Sequence, residues 1–223
     1  MYWQDEGYLL SKNNYDENSI IIEVFTLEHG KYSGIVYGGN SKKNKKNFQI
    51  GNKMLLNWKS KGENRMGYFN VELIKAISPM FFNDKIKSIS LLSASTILKI
   101  LLPERQVNEI IYKSFEDLIE RIYLENWIKY YIFWELSLFK DLGFEVRIPR
   151  NDNLNTETNI NITINDKIFK IPKFILKKNG ENAANQEIKE ALAFNKNLLI
   201  ENFIYPNKLK FPISRNILEK YYN

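Results

Sequence analysis

In the first third of the chain, apolar and polar positions alternate with period two. Ile20, Ile22 and Val24 fall on one side of an extended segment, and Ile21 and Phe25 on the other;. The pattern predicts strands over 7–12, 18–27, 31–37, 51–61 and 66–77. They are cut by turns at Glu28-His29-Gly30, Gly38-Gly39 and Gly62 and by a polar lysine loop over 40–50;. Five short strands with no long helical pattern between them predict a small closed barrel. After Ser78-Pro79 the period changes. Ile86, Ile89, Leu92, Ile97, Leu98 and Leu101 recur at helical spacing until Pro103;. Asn108 is the predicted N-cap of a second helix with Ile111, Phe115, Leu118 and Ile122 on one face;. A third helix is predicted over 126–142, stopped by Gly143 as a C′ glycine;. Asn159 to Ile164 alternate again, and Asn165-Asp166 predict a turn back into 167–171;. Two short helices, over 185–203 and 213–222, close the chain, and no internal repeat is present;. The fold class expected is α+β multidomain. A five-stranded OB-fold barrel over 1–79 precedes an α-helical domain over 80–223, with a divergent insert over 145–175.

Composition places this among ordinary globular chains, with 44% apolar and 26% charged residues;. The absence of cysteine excludes disulfides, thiolate metal sites and cysteine nucleophiles. The opening residues Met1-Tyr2-Trp3-Gln4-Asp5-Glu6 carry neither a basic nor an apolar leader region;. No stretch approaches the ~18 apolar residues of a membrane span. A soluble cytoplasmic protein with no membrane association is expected, in which the sequon at Asn161-Ile162-Thr163 has no use.

The net charge of +6 matters less than its distribution. Between Lys31 and Gly62 there are eight lysines (Lys31, Lys42, Lys43, Lys45, Lys46, Lys53, Lys59 and Lys61) and no acid. The densest run, Lys42 to Lys46, lies on the loop between the third and fourth strands. If extended on a mobile loop, it spans roughly 13 Å at ~3.3 Å per residue, enough to track several backbone phosphates. Lysine suits this task as a flexible point charge. The alternative is a solvated, lysine-biased loop. An OB barrel as host, and the interleaved aromatics Tyr32, Tyr37, Phe48 and Trp58, favour nucleic acid;. Most of these aromatics belong to the core; one or two on the outer sheet face would stack bases.

Signals for catalysis are weak. His29, the only histidine, is expected as a solvent-facing turn residue. The pairs Asp5-Glu6 and Asp16-Glu17 are expected as solvated charges or turn formers, since adjacent strand residues point to opposite faces. Gly38-Gly39 lacks the rest of any phosphate-loop signature;. A non-enzyme with no cofactor and no metal is expected.

Several segments resemble the bacterial RecO family. They are Trp3-Gln-Asp-Glu-Gly-Tyr-Leu-Leu-Ser, the run from Tyr15 to Tyr32, and Val36-Tyr-Gly-Gly-Asn-Ser-Lys-Lys. Farther on come Leu102-Pro-Glu-Arg, Trp134-Glu-Leu, Leu142-Gly-Phe, Pro172-Lys-Phe and the region from Leu199 to Phe203. The resemblance implies an N-terminal OB domain, a helical C-terminal domain and a recombination mediator. Such a protein binds single- and double-stranded DNA and anneals complementary strands. It engages the acidic C-terminal tail of single-stranded DNA-binding protein and works with RecR to load RecA. The family's DNA-binding positions carry over to Lys42, Lys43, Lys45 and Lys46, and then to Lys31, Lys53, Lys59 and Lys61. For the partner tail, the helices of 108–142 supply apolar faces, with Arg121, Lys129 and Lys140 as rim charges;. One departure is plain: where many members carry a four-cysteine zinc module, residues 145–170 have no cysteine, so no zinc is expected and a hairpin stands in its place. Two competing functions remain. One is an adaptor whose barrel binds an acidic peptide; the other is a hydrolase built on Asp5, Glu6, Asp16 or Glu17.

Overall fold

The computed structural model describes residues 1–62, 65–144, 160–177 and 183–222. Strands β1 (Tyr2–Asn14), β2 (Ile20–Thr26), β3 (Gly30–Val36), β4 (Lys53–Lys59) and β5 (Gly67–Lys75) close into a barrel in the order β1-β2-β3-β5-β4. Every pairing is antiparallel except the short parallel contact between β3 and β5, Gly34 with Gly67 and Ile35 with Tyr68. The period-two reading holds. Ile20, Ile22, Val24, Val36, Met54, Leu56, Trp58 and Phe69 point inward into one buried cluster with Leu9 and Phe48. β1 is much longer than the apolar run that predicted it. Its first residues, from Tyr2 to Glu6, are held by pairing with β4 rather than by their own hydrophobicity. At Gly30 (φ +75°) the chain turns tightly between β2 and β3 in the left-handed region;.

A 3-10 turn, Ser78–Phe81, leads into α1 (Lys85–Leu101), which is capped by Asp84 accepting from the amides of Ile86 and Lys87. Asn108 caps α2 (Glu109–Arg121) as the sequence predicts, its Oδ1 accepting from the Ile111 amide at 3.0 Å. α3 (Trp127–Asp141) ends at Gly143, whose φ of +95° is the left-handed C′ conformation;. The hairpin also forms. β6 (Asn161–Ile164) pairs with β7 (Lys167–Lys170), and both turn residues, Asn165 and Asp166, have positive φ, as a tight I′ turn demands;. The remainder of the expected insert, 145–159, lies outside the described residues. α4 (Lys173–Lys177), α5 (Asn185–Leu199), a π turn at Ile200–Ile204 and α6 (Ile213–Lys220) complete the chain. Among the described residues no helix is long and apolar enough to cross a membrane.

The chain divides into two compact units, Met1–Lys113 and Ser114–Asn223. The change from strand to helix falls at Ser78, as the sequence predicts, whereas the compact barrel unit extends through α1 and into α2. The second unit is organised around a buried charge. Arg215 of α6 and Glu135 of α3 form an ion pair at 2.5 Å with both side chains essentially fully buried.

Candidate nucleic-acid interface

The lysine loop is not an extended tether. From Ser41 to Asn47 the backbone coils through consecutive turns. The Asn44 and Lys45 amides donate to the Ser41 carbonyl at 3.1 and 2.9 Å, and the Asn47 amide to Asn44 at 2.9 Å. Its ends are fastened. Asn44 Nδ2 donates to the Gly38 carbonyl at 3.1 Å, and Phe48, only 4% exposed, plugs into the barrel core. Asn52, fully buried, donates to the Asn47 carbonyl and accepts from the amides of Ile77 and Ser78. The four charges therefore occupy a shorter span than an extended run. Helix-like coiling advances ~1.5 Å per residue, or about 6 Å from Lys42 to Lys46. Lys42, Lys43, Lys45 and Lys46 are all exposed.

The other predicted lysines separate. Lys31 is withdrawn: it is 8% exposed and its Nζ donates to the Lys99 carbonyl at 2.8 Å. Burial pushes its pKa below the ordinary lysine value, against the attraction of Glu23 and Glu104 and together with repulsion from Lys99. It fastens β3 to α1, with its side chain almost wholly withdrawn from solvent. Lys53 is paired with Glu6 at 3.0 Å. Lys59 and Lys61 are exposed, and the Lys59 ammonium lies over the Tyr2 ring at 5.4 Å. Lys12 on β1 joins the set without having been legible in the sequence. Its pKa is lowered by partial burial and by the proximity of Lys45, so the fold brings together two positive charges 33 positions apart.

The aromatics also sort. Phe48 and Trp58 are core, Tyr32 is half-buried, and Tyr37 is 65% exposed, beside the Tyr68 ring at 6.0 Å between centroids. Of the acidic pair at the start of β1, Glu6 is exposed as expected and Asp5 is not. Asp5 is buried. Its Oδ1 accepts from the Glu6 amide at 2.7 Å, and its Oδ2 from the Glu28 amide at 2.8 Å and faces His29 Nδ1 at 3.0 Å. His29 is half-buried and stacks on Trp3 at 4.3 Å. Neither is a solvated charge: together they lock the β2–β3 turn onto β1. Asp5, Glu28 and His29 offer three ligand atoms within 4.8 Å of one another, but both Asp5 oxygens already accept from protein groups, which accounts for the cluster. Asp16 is a turn former as expected, accepting from the amides of Asn18 and Ser19. Those amides hold its pKa below the usual carboxylate value.

In the second unit Arg121 and Lys129 are brought to one place. The Arg121 guanidinium lies 4.7 Å and the Lys129 ammonium 5.1 Å from the centre of the Tyr130 ring. Lys140, exposed in the last turn of α3, lies 11 residues beyond Lys129, or about 16 Å along the helix, and is not part of that grouping.

A closed five-stranded barrel with an anchored lysine turn and an exposed tyrosine beside it, followed by helices, defines an OB-like module with a basic face. Residues 1–77 match the family model described as "Recombination protein O N terminal". Three similar curated proteins, each named DNA repair protein RecO, agree with it. The one from Wolbachia sp. subsp. Drosophila simulans (strain wRi) is 34% identical over 152 residues, 67% of this chain and 62% of that protein. The one from Cereibacter sphaeroides (strain ATCC 17025 / ATH 2.4.3) is 33% identical over 66% of this chain and 62% of its own length. The one from Ehrlichia chaffeensis (strain ATCC CRL-10679 / Arkansas) is 33% identical over 72% of this chain and 66% of its own. The chain belongs to the RecO family. The match spans about 62% of the length of the first of these relatives.

Proposed function

We propose that this chain is a non-enzymatic, DNA-binding recombination mediator of DNA repair. Its OB-fold barrel binds single- and double-stranded DNA and anneals complementary strands. Its helical unit receives the acidic tail of single-stranded DNA-binding protein, and with RecR it promotes loading of RecA. The observation that carries this reading is the set of four exposed lysines held on one anchored turn, in a stretch with no acid from Lys31 to Gly62. Anchoring matters because a tethered charge loses less freedom when it meets a phosphate than one on a free loop. The names of the relatives support the placement in DNA repair.

Salt titration of oligonucleotide binding tests it. Changing Lys42, Lys43, Lys45 and Lys46 to Ala is expected to weaken binding of every sequence and to flatten the slope of log K against log salt by roughly 3, at about 0.7 per single-strand phosphate contact. Lys31→Met is the control: with its ammonium already committed to Lys99, the slope should stay as in the unaltered chain. An unchanged slope in the quadruple variant overturns the proposal.

Arg121 and Lys129 flanking Tyr130 support the site for an acidic peptide in the helical unit. Two cations beside one aromatic ring suit a segment that combines carboxylates with an apolar terminal residue. Arg121→Glu with Lys129→Glu is expected to weaken a calorimetric titration with the tail peptide at least tenfold, whereas Lys140→Glu should change it little. Equal losses from all three would mean long-range charge rather than a site.

A further inference from the structure

The register of the barrel places a row of aromatic and basic side chains across four strands of its outer face. Cross-strand partners lie on the same face of a sheet. Tyr2 of β1 is opposite Lys59 of β4, Lys59 is opposite Tyr68 of β5, and Tyr68 is opposite Ile35 of β3. The neighbours on either side of this row point inward: Trp3, Trp58, Phe69 and Val36 belong to the core or pack against it. Tyr37, two residues beyond Ile35, continues the outer face and meets Tyr68. Tyr2 and Tyr37 are 61% and 65% exposed, and Lys59 is held between Tyr2 and Tyr68 by its position over the Tyr2 ring. At a strand spacing of about 4.8 Å the row is roughly 14 Å across from β1 to β3.

Single exposed tyrosines need no explanation, but this is a contiguous set with a lysine inside it, and its charge surroundings have a direction. At the β3 end the row runs into the lysine turn: Tyr37 precedes Gly38, whose carbonyl accepts from Asn44 of that turn. Lys61, two residues beyond the end of β4, is exposed. The outward acids of these strands, Glu6 and Glu72, both lie opposite Leu55, four residues back along β4, or ~13 Å away. Among the described residues the row itself holds no carboxylate; Glu104 reaches the same face of β3 at Ser33, two residues before Ile35, and positive charge stands at Lys59 within the row and at the lysine turn at its β3 end.

We infer that Tyr37, Tyr68 and Tyr2 are a base-stacking platform for a single-stranded polynucleotide, with Lys59 and the lysine turn holding its phosphates. The inference rests on the nucleic-acid reading above and deepens it: the platform requires unpaired bases, so this face recognises single strands by a contact that a duplex cannot make. Every base offers a π-face, so the contact is indifferent to sequence. Tyr37 carries the test because it is exposed and adjoins both the row and the turn.

The experiment measures the affinity of the full chain for a deoxythymidine oligomer and for a blunt duplex, each over a salt series, with Tyr37→Ala and Tyr37→Phe. Tyr37→Ala is expected to weaken single-strand binding between about 5- and 150-fold, the range for loss of one stacked base. It should leave the duplex within twofold and the single-strand salt slope unchanged, because no phosphate contact is lost. Tyr37→Phe, which keeps the ring, should bind like the unaltered chain. Photocrosslinking of a 5-iododeoxyuridine oligomer should map to Tyr37, Tyr68 or Tyr2. Equal loss on both substrates, or unchanged single-strand affinity in Tyr37→Ala, overturns the platform while leaving the lysine-based reading standing. If the unaltered chain binds neither substrate, that reading falls and the platform with it.

Discussion

Arg215→Met is expected to destabilise the second unit by about 3–5 kcal/mol, because it strands a carboxylate inside the protein. Arg215 and Glu135 are buried to 0% and 1% side-chain exposure. The guanidinium donates from Nε to Glu135 Oε1 at 2.5 Å, and from Nη2 to Oε2 at 3.1 Å and to the Leu192 carbonyl at 2.7 Å. Tyr131 donates to Glu135 Oε1 at 3.0 Å, and Asn195 donates to Oε2 at 3.1 Å and to the Ile132 carbonyl at 2.9 Å. One carboxylate thus organises donors from α3, α5 and α6. Burial alone lowers the guanidinium's affinity for its proton. The attraction of Glu135, Tyr131 and Glu219, with the hydrogen bond to Glu135, more than offsets this and holds its pKa above the ordinary arginine value. A raised folded-state pKa gives stability that is fully present below the unfolded value, so the contribution does not change across the neutral range.

The double variant Glu135→Leu with Arg215→Met separates pairing from packing. Removing both charges should recover much of the loss, but not all of it. Tyr131, Asn195 and the Leu192 carbonyl would each lose a partner, at about 1–3 kcal/mol for any left unsatisfied in the interior. Urea unfolding, read by hydrogen exchange over 114–144 and 183–222, gives the three stabilities. A single-variant cost below about 1 kcal/mol would show that the pair is not needed to hold these helices together.

What the sequence made legible was whatever depends on period and on local caps. Ile20, Ile22 and Val24 announce β2 because the inward face of a barrel strand must be apolar at every second position. Asn108 and Gly143 announce helix ends because a helix leaves unpaired amides at one end and carbonyls at the other. Asn165-Asp166 announces its turn because those residues tolerate positive φ. The first residues of β1 were not legible, since their pairing with β4 is set about 50 positions away. In the sequence Glu135 is only a charge interrupting the apolar run from Tyr130 to Phe139. Its partner lies 80 residues on, and no local pattern connects them.

The candidate site divides along the same line. The charge of the lysine run could be read from composition, and its four central members are exposed. Its conformation could not, because the tertiary anchors Phe48 and Asn52 decide whether the run is extended or coiled. Lys31 lies in the same acid-free window but faces α1, and Lys12 lies outside the window but faces Lys45. Asp5 and His29 read as surface residues because polar types usually are. Only the barrel's register shows that one caps the turn that carries the other. The Tyr2–Lys59–Tyr68 row likewise requires the pairing of three strands to be known before it can be seen.

The closure of the barrel gives the other large effect expected here. Gly67→Ala should destabilise the first unit by roughly 1–3 kcal/mol or more, the usual cost of overpacking a filled core. β3 and β5 meet through Gly34 and Gly67, and the space their missing side chains leave is occupied by rings. A Cβ at residue 67 would lie 2.3 Å from Trp58 Cε2 and 2.4 Å from its Nε1; one at residue 34 would lie 2.6 Å from Phe69 Cε2. Trp58 has little room to retreat, being 2% exposed and packed against Trp3 at 5.7 Å and Tyr32 at 5.3 Å. The strain should therefore open the β3–β5 seam, the shortest pairing in the barrel. Because Lys59 and Tyr68 adjoin Trp58 and Gly67 in sequence, single-strand binding should weaken with it. The cause is tested by a cycle with Trp58→Leu. That substitution alone leaves a cavity and costs stability, but it also makes room for the new methyl group. The double variant should be more stable than the sum of the singles by at least about 1 kcal/mol, as expected for residues in direct contact. Hydrogen exchange over 53–59 and 67–75 reads the barrel without interference from the second unit, and strictly additive costs would place the damage somewhere other than the indole.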